Sequence, residues 1–298
     1  MILNRIPSLT ESKKQFIFKF IEDLSKIENL KAIALGGSHA TGRANKNSDI
    51  DLGLYYYEQE PFLIKAIQKI VEKYSTDKKS VVVDFYEWGP WVNGGAWINT
   101  EVGKVDLLYR NINQIEKTIL DAKVGKWQSH YEQQPPFGFN SITYLAESAT
   151  SVPLFDPNFI LRELKELIKP YPKALKQNVI NATLWSAEFT LAQAGVFASQ
   201  KDMYNTLGCF TRCLKNIIDA LCAINEIYPI GDKLAVQILS RAESVPDNLD
   251  QKVNAVLTTD ILKLDKNLHL LKELFKEVGE LTDGLYHPKF DTKSIFNR

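Results

Sequence analysis

The chain has 298 residues, 45% hydrophobic and 24% charged, an ordinary globular balance and enough length for two domains. Its 36 basic and 36 acidic residues cancel to zero net charge, which argues against a protein whose main work is gripping long nucleic acid. No apolar run approaches the ~20 residues needed to span a bilayer, and Met1-Ile2-Leu3-Asn4-Arg5-Ile6-Pro7 lacks the apolar centre and cleavage region of a signal peptide.

In chain order, Phe16, Phe20, Ile21, Leu24 and Ile27 recur at helical spacing and predict a first helix over 12–27. Lys31-Ala32-Ile33-Ala34-Leu35 reads as a buried strand, followed by Gly36-Gly37-Ser38 and a loop. A second strand follows through Ser48-Asp49-Ile50-Asp51-Leu52 into Tyr55-Tyr56. Residues two apart on a strand share a face, so Asp49 and Asp51 point the same way with Cα atoms roughly 6.5–7 Å apart. Hard cations take oxygen ligands, and Mg²⁺ uses one or two carboxylates together with substrate phosphates. The glycines let backbone approach a phosphate closely, Ser38 and the following amides can donate to it, and Arg43 could pair with its charge. His39 could reach a phosphate or face solvent, and solvent is the expectation.

Pro61 opens a helix through Tyr74 with Leu63, Ile67, Ile70 and Val71 inward. Strands are predicted over 80–86, 96–101 and 104–109, the last two joined by a turn at Val102-Gly103. Between the first two lies Trp88-Gly89-Pro90-Trp91-Val92-Asn93-Gly94-Gly95, a structured loop. Its tryptophans either close the edge of the sheet or place a ring against a base or acceptor. Gln133-Gln134-Pro135-Pro136 marks the boundary between domains at 1–125 and 140–298. Beyond it every strong signal is helical, at 140–149, 158–169, 173–199, 203–227, 231–242, 249–258 and 260–284. The fold class is therefore α+β: an N-terminal mixed-sheet domain, then an all-α helical bundle. Cys209, Cys213 and Cys222 share one helical stretch and complete no zinc site, so buried free thiols in a cytoplasmic protein are expected.

Gly37-Ser38 followed by Ser48-Asp49-Ile50-Asp51-Leu52 resembles the signature of the DNA polymerase β-like nucleotidyltransferase superfamily. Within it the chain is most similar to bacterial two-domain antibiotic nucleotidyltransferases of the kanamycin, streptomycin and lincosamide type. The resemblance implies Mg²⁺-dependent transfer of a nucleoside monophosphate from a nucleoside triphosphate, with release of pyrophosphate. Gly36, Gly37, Ser38, Arg43 and Ser48 would face the nucleotide. It also implies a third carboxylate on a neighbouring strand. Asp84 and Asp106 are both available; the return strand of the hairpin is where the family places it, which favours Asp106.

An attacking hydroxyl needs a proton acceptor. Glu188 lies in a strongly apolar helical stretch where burial would tune it, and relatives use a glutamate from the helical part; a structural role within the bundle is the alternative. Glu147 is a second candidate. Asn225, Tyr228 and Lys233 could contact phosphate or acceptor, or serve packing and capping, while Glu280 and Asp283 belong to a solvated face. The expected acceptor is a small hydroxylated molecule. Transfer to a protein or tRNA, as in toxin-neutralising relatives, and a non-catalytic nucleotide-binding regulator are the alternatives.

Overall fold

The computed structural model describes residues 2–289. They divide into two compact units: residues 2–120, 129–133 and 144–170 form the first, and 121–128, 134–143 and 171–289 the second. Residues 144–170, expected on the helical side of the boundary, fall in the first.

Helix α1 (Glu11–Leu24) starts where the Thr10 hydroxyl accepts from the Lys13 amide. Strand β1 (Ala32–Leu35), a single helical turn α2 (Gly37–Ala40), strand β2 (Ile50–Tyr56) and helix α3 (Ile64–Tyr74) follow. Then come β3 (Val81–Val82), β4 (Gly95–Thr100), β5 (Gly103–Asn111) and helix α4 (Ile112–Lys123). Two-residue strands β6 (Ser129–His130) and β7 (Phe139–Asn140), helix α5 (Thr143–Thr150), strand β8 (Val152–Phe155) and helix α6 (Ile160–Leu167) complete this part.

The main sheet runs β3-β4-β5-β2-β1-β8, with β2 and β5 parallel and the other pairs antiparallel. Its inner face carries Ile50, Leu52, Leu54, Ile98, Val105 and Leu107, which close against Phe16, Phe20, Leu24 and Ile67 from α1 and α3. Period-two alternation therefore sends Asp51, Lys104 and Asp106 to the opposite face.

Among the elements that depart from the sequence reading are β3, α4 and β8. β3 is two residues long, because Asp84 to Glu87 turn: the Asp84 amide donates to Glu87 Oε2 and the Phe85 amide to Asp84 Oδ1. α4 lies where the sequence reading has no element, although Ile112, Ile115, Ile119 and Ala122 repeat at helical spacing; exposed Leu120 and Val124 blur that stripe. β8 lies where only helix was expected. It is an edge strand, and Pro153 masks it because proline is confined to such edges.

The second unit is built on α7 (Lys173–Ser199) and α8 (Met203–Ile224), joined by α9 (Ala235–Leu239), α10 (Leu249–Leu257) and α11 (Leu264–Glu280). Asp202 caps α8 by accepting from the Asn205 amide at 3.1 Å. Leu184, Ala187, Leu191, Phe210, Leu214, Ile217, Leu271 and Phe275 are buried, as antiparallel apolar faces require. The α+β architecture, mixed sheet first and helices after, is the one the sequence indicates. Cys213 and Cys222 are buried and all three thiols are free; burial pushes the Cys222 thiol up to about 12. No helix among the described residues is long and apolar enough to cross a membrane.

Candidate active site

Asp51 on β2 and Asp106 on β5 are register partners in adjacent parallel strands, so both carboxylates leave the same face side by side. On the other flank of β5, Trp97 of β4 is the partner of Asp106, and Val81 of β3 the partner of Trp97. On the far flank of β2, the Gly36 amide donates to the Asp51 carbonyl at 2.9 Å. One straight row thus crosses the outer face: Val81, Trp97, Asp106, Asp51, Gly36.

The glycine turn lies directly against this row. Gly37 has φ of +58°, and a Cβ there would stand 1.8 Å from Asp51 Oδ2. Only glycine allows both the left-handed backbone and the approach of the carboxylate. The loop after it is self-bonded: Ser48 Oγ accepts from the Asn45 amide and Asn45 Oδ1 from the Asn47 amide. Beneath it the buried Lys13 ammonium donates to the Ser48 carbonyl at 2.6 Å, fixing the residue before Asp49. Sequence reasoning gave Lys13 no role, because a lysine early in an amphipathic helix reads as solvated. Arg43 is exposed and its Nε donates to Thr41 Oγ1.

His39 does not face solvent. It is 2% exposed, with Nδ1 held 2.8 Å from Ser8 Oγ, because the turn α2 folds that side chain inward. Burial, reinforced by the charge of Lys13, holds the imidazole below its ordinary pKa.

Lys104 was also missed. Its Nζ stands 3.0 Å from Asp106 Oδ2 and 3.6 Å from Asp49 Oδ2, a cation between two of the three carboxylates. Burial pulls the ammonium's pKa down, but the hydrogen bond to Asp106 and the charges of Asp106 and Asp49 outweigh it, leaving the value raised. Among the described residues, no three His, Cys, Asp or Glu side chains are already gathered at metal-holding spacing. The donors available are nevertheless hard oxygens, which suits Mg²⁺, and a cation already sits among them.

The remaining candidates lie elsewhere. Asp84 caps its own turn at the end of β3. Glu147 is committed to Arg110, accepting from Nε at 2.7 Å and from Nη2 at 2.8 Å, a pairing the sequence did not suggest. In the second unit Glu188 is 3% exposed; it accepts from the Tyr286 hydroxyl and from the Lys289 amide at 3.0 Å. Asn225 caps α8 and clasps both polar backbone atoms of Ser244. Tyr228 stacks on Tyr171 at 4.6 Å, and Lys233, Glu280 and Asp283 are exposed. In the tryptophan loop, Trp88 stacks on Trp97 at 4.7 Å with 23° between planes, while the Trp91 carbonyl accepts from the Tyr144 hydroxyl.

Residues 17–121 match the sequence model of the family described as nucleotidyltransferase domain, so that stretch, which holds Asp49, Asp51 and Asp106, is a nucleotidyltransferase domain and the protein is a nucleotidyltransferase. No curated protein matches the chain. Among solved structures the chain is similar to a nucleotidyltransferase-like protein from Exiguobacterium sibiricum 255-15, with 8% identity and a TM-score of 0.45, over 91% of this chain and 77% of that one.

Proposed function

We propose that the protein transfers a nucleoside monophosphate from a nucleoside triphosphate to a hydroxyl of a small molecule. The observation that carries this reading is the side-by-side placement of Asp51 and Asp106, with the Gly37 backbone pressed against the Asp51 carboxylate. In the reaction the acceptor oxygen bonds to the α-phosphorus. The bond from that phosphorus to the bridging α–β oxygen breaks, and pyrophosphate leaves. Asp49, Asp51 and Asp106 hold Mg²⁺ in this proposal; when bound, it offsets the triphosphate charge and makes the attacking oxygen more acidic. Gly36, Gly37 and Ser38 cradle phosphate oxygens, Arg43 adds charge from the exposed loop, and Ser48 keeps that loop closed behind Asp49.

Glu188 is the base we assign from the helical unit, and its buried setting supplies the competing role of a tether for the segment around Tyr286 and Lys289. Glu188→Gln separates the two. A base predicts a rate lowered about 10²–10⁴-fold with unchanged triphosphate binding and unchanged melting; a tether predicts lowered stability with turnover retained below the melting temperature. The free buried thiols accord with a reducing compartment, and we place the enzyme in the cytoplasm.

Pyrophosphate release from labelled ATP, GTP, CTP and UTP, against a panel of polyhydroxylated antibiotics, tests the proposal. Release that depends on a small acceptor supports it. Transfer only to RNA or protein keeps the chemistry and overturns the acceptor; nucleotide binding with no transfer to any acceptor means a regulatory module.

A further inference from the structure

We propose that Trp97, backed by Trp88, is the acceptor platform of this site, and that the acceptor lays a flat ring face, of a sugar or an aromatic group, on the exposed indole. The proposal rests on the nucleotidyl-transfer reading of the carboxylate row. Across the outer face the order is glycine turn, Asp51, Asp106, Trp97. Strands lie about 4.8 Å apart, so the Trp97 Cα stands roughly 5 Å beyond that of Asp106 and roughly 10 Å beyond that of Asp51. An in-line displacement at phosphorus requires nucleophile and leaving group on opposite sides. If the glycine turn cradles the departing phosphates, the attacking hydroxyl comes from the side on which Trp97 stands.

The indole is built for contact. Its strand neighbours Ala96 and Ile98 are fully buried, whereas Trp97 is 45% exposed beside Asp106. Large aromatic side chains are highly buried on average, so an outward tryptophan in a catalytic row is an unspent binding surface. Trp88 stacks on one face of it and fixes its plane, and Trp97 still keeps 45% of its surface exposed. Gly95 makes room for that stack, since a Cβ there would meet Trp88 at 2.8 Å and the Leu107 carbonyl at 1.9 Å. Indole faces bind rings of many kinds, which selects a chemical class and not one compound.

The test is saturation-transfer NMR and equilibrium titration with 4-nitrophenyl glucoside, which offers both a sugar and an aromatic face, and with sorbitol as an open-chain control. Both are run in the presence of Mg²⁺ and α,β-methylene-ATP. We expect the glucoside to bind wild type in preference to sorbitol. Trp97→Leu should weaken the glucoside by about tenfold or more, Trp97→Phe should restore it to within about threefold, and nucleotide affinity should hold through both. Glucoside that binds Trp97→Leu as well as wild type, or wild type that shows no preference for the ring probe, overturns the platform. Loss of nucleotide in place of glucoside makes Trp97 a base-stacking residue and overturns the acceptor assignment while leaving the transfer reading intact. Failure of wild type to bind the nucleotide analogue defeats the transfer reading itself.

Discussion

Two ion pairs start from the same face of β5, six residues apart at Lys104 and Arg110, and they are built on opposite principles. At one end Arg110 is buried and grips both oxygens of Glu147 from α5. At the other, Lys104 reaches Asp106 and Asp49 through one short and one longer contact, with its side chain 43% exposed. The first has a fixed fork geometry with the guanidinium buried and the carboxylate 27% exposed, so it locks strand to helix. The second is a single half-exposed ammonium, which the proposed reaction would displace with Mg²⁺ or set against the triphosphate. The pair that ties strand to helix has a buried, bidentate guanidinium; the cation among the carboxylates is left half open.

The sharpest way to break the comparison is at the open end. Asp51→Asn should abolish Mg²⁺-dependent turnover, a loss of at least about 10³-fold, with a melting temperature close to wild type. Pyrophosphate release and a thermal melt on the same sample check both halves, and full activity in this variant would sink the site. At the closed end the pattern should invert. Glu147→Leu strands a buried guanidinium and should cost about 3–5 kcal/mol, measured as a shift of the denaturation midpoint. Arg110→Met combined with Glu147→Leu should recover much of that loss.

The carboxylates at the open end were legible in advance, and neither ion pair was. Alternation places Asp49 and Asp51 on one face, and the hairpin through Val102-Gly103 returns Asp106 to a neighbouring strand. The long helices α7, α8 and α11 follow from their apolar spacing. The partners of these residues were not legible. Arg110 and Glu147 are 37 residues apart and meet only because α5 returns to the first unit. Lys104 gains its meaning from register, and Trp97 from being the cross-strand neighbour of Asp106. His39 and Lys13 are polar residues buried under a loop, and local sequence carries no signal of what closes over them.

Two smaller effects refine the picture. Lys104→Met should change the stability of the metal-free protein by no more than about 1 kcal/mol, since half-exposed pairs contribute little. Removing the resident cation should tighten Mn²⁺ binding several-fold, about what losing one such competitor is worth, as read by electron paramagnetic resonance, with Lys104→Arg near wild type. Weaker Mn²⁺ binding in Lys104→Met would mean that the ammonium supports the ion and does not compete with it.

The smallest effect concerns pH. His39 is held below its ordinary pKa of 6.5, first by burial and then by Lys13. The unfolded chain therefore takes up a proton near pH 6.5 that the folded chain refuses, so this contribution is intact above that pH and is lost as pH falls below it toward the folded pKa. The loss cannot exceed about 1.4 kcal/mol per pH unit. Melts at pH 7.5 and 5.5 should show a larger drop for wild type than for His39→Gln, and equal drops would remove His39 from the account.

Strand β8 carries a consequence for how the protein can be dissected and made. It lies beyond α5, yet it covers the edge of β1, the strand that leads into the glycine turn. A fragment stopped at residue 121, where the family match ends, would carry every carboxylate of the row and still leave β1 as an open, fully apolar edge and Arg110 without its counter-charge. Such a fragment should aggregate. During synthesis the same edge waits uncovered until residue 155 has left the ribosome, so the working domain is finished later than its motifs suggest, and the shortest soluble piece should run to about residue 170.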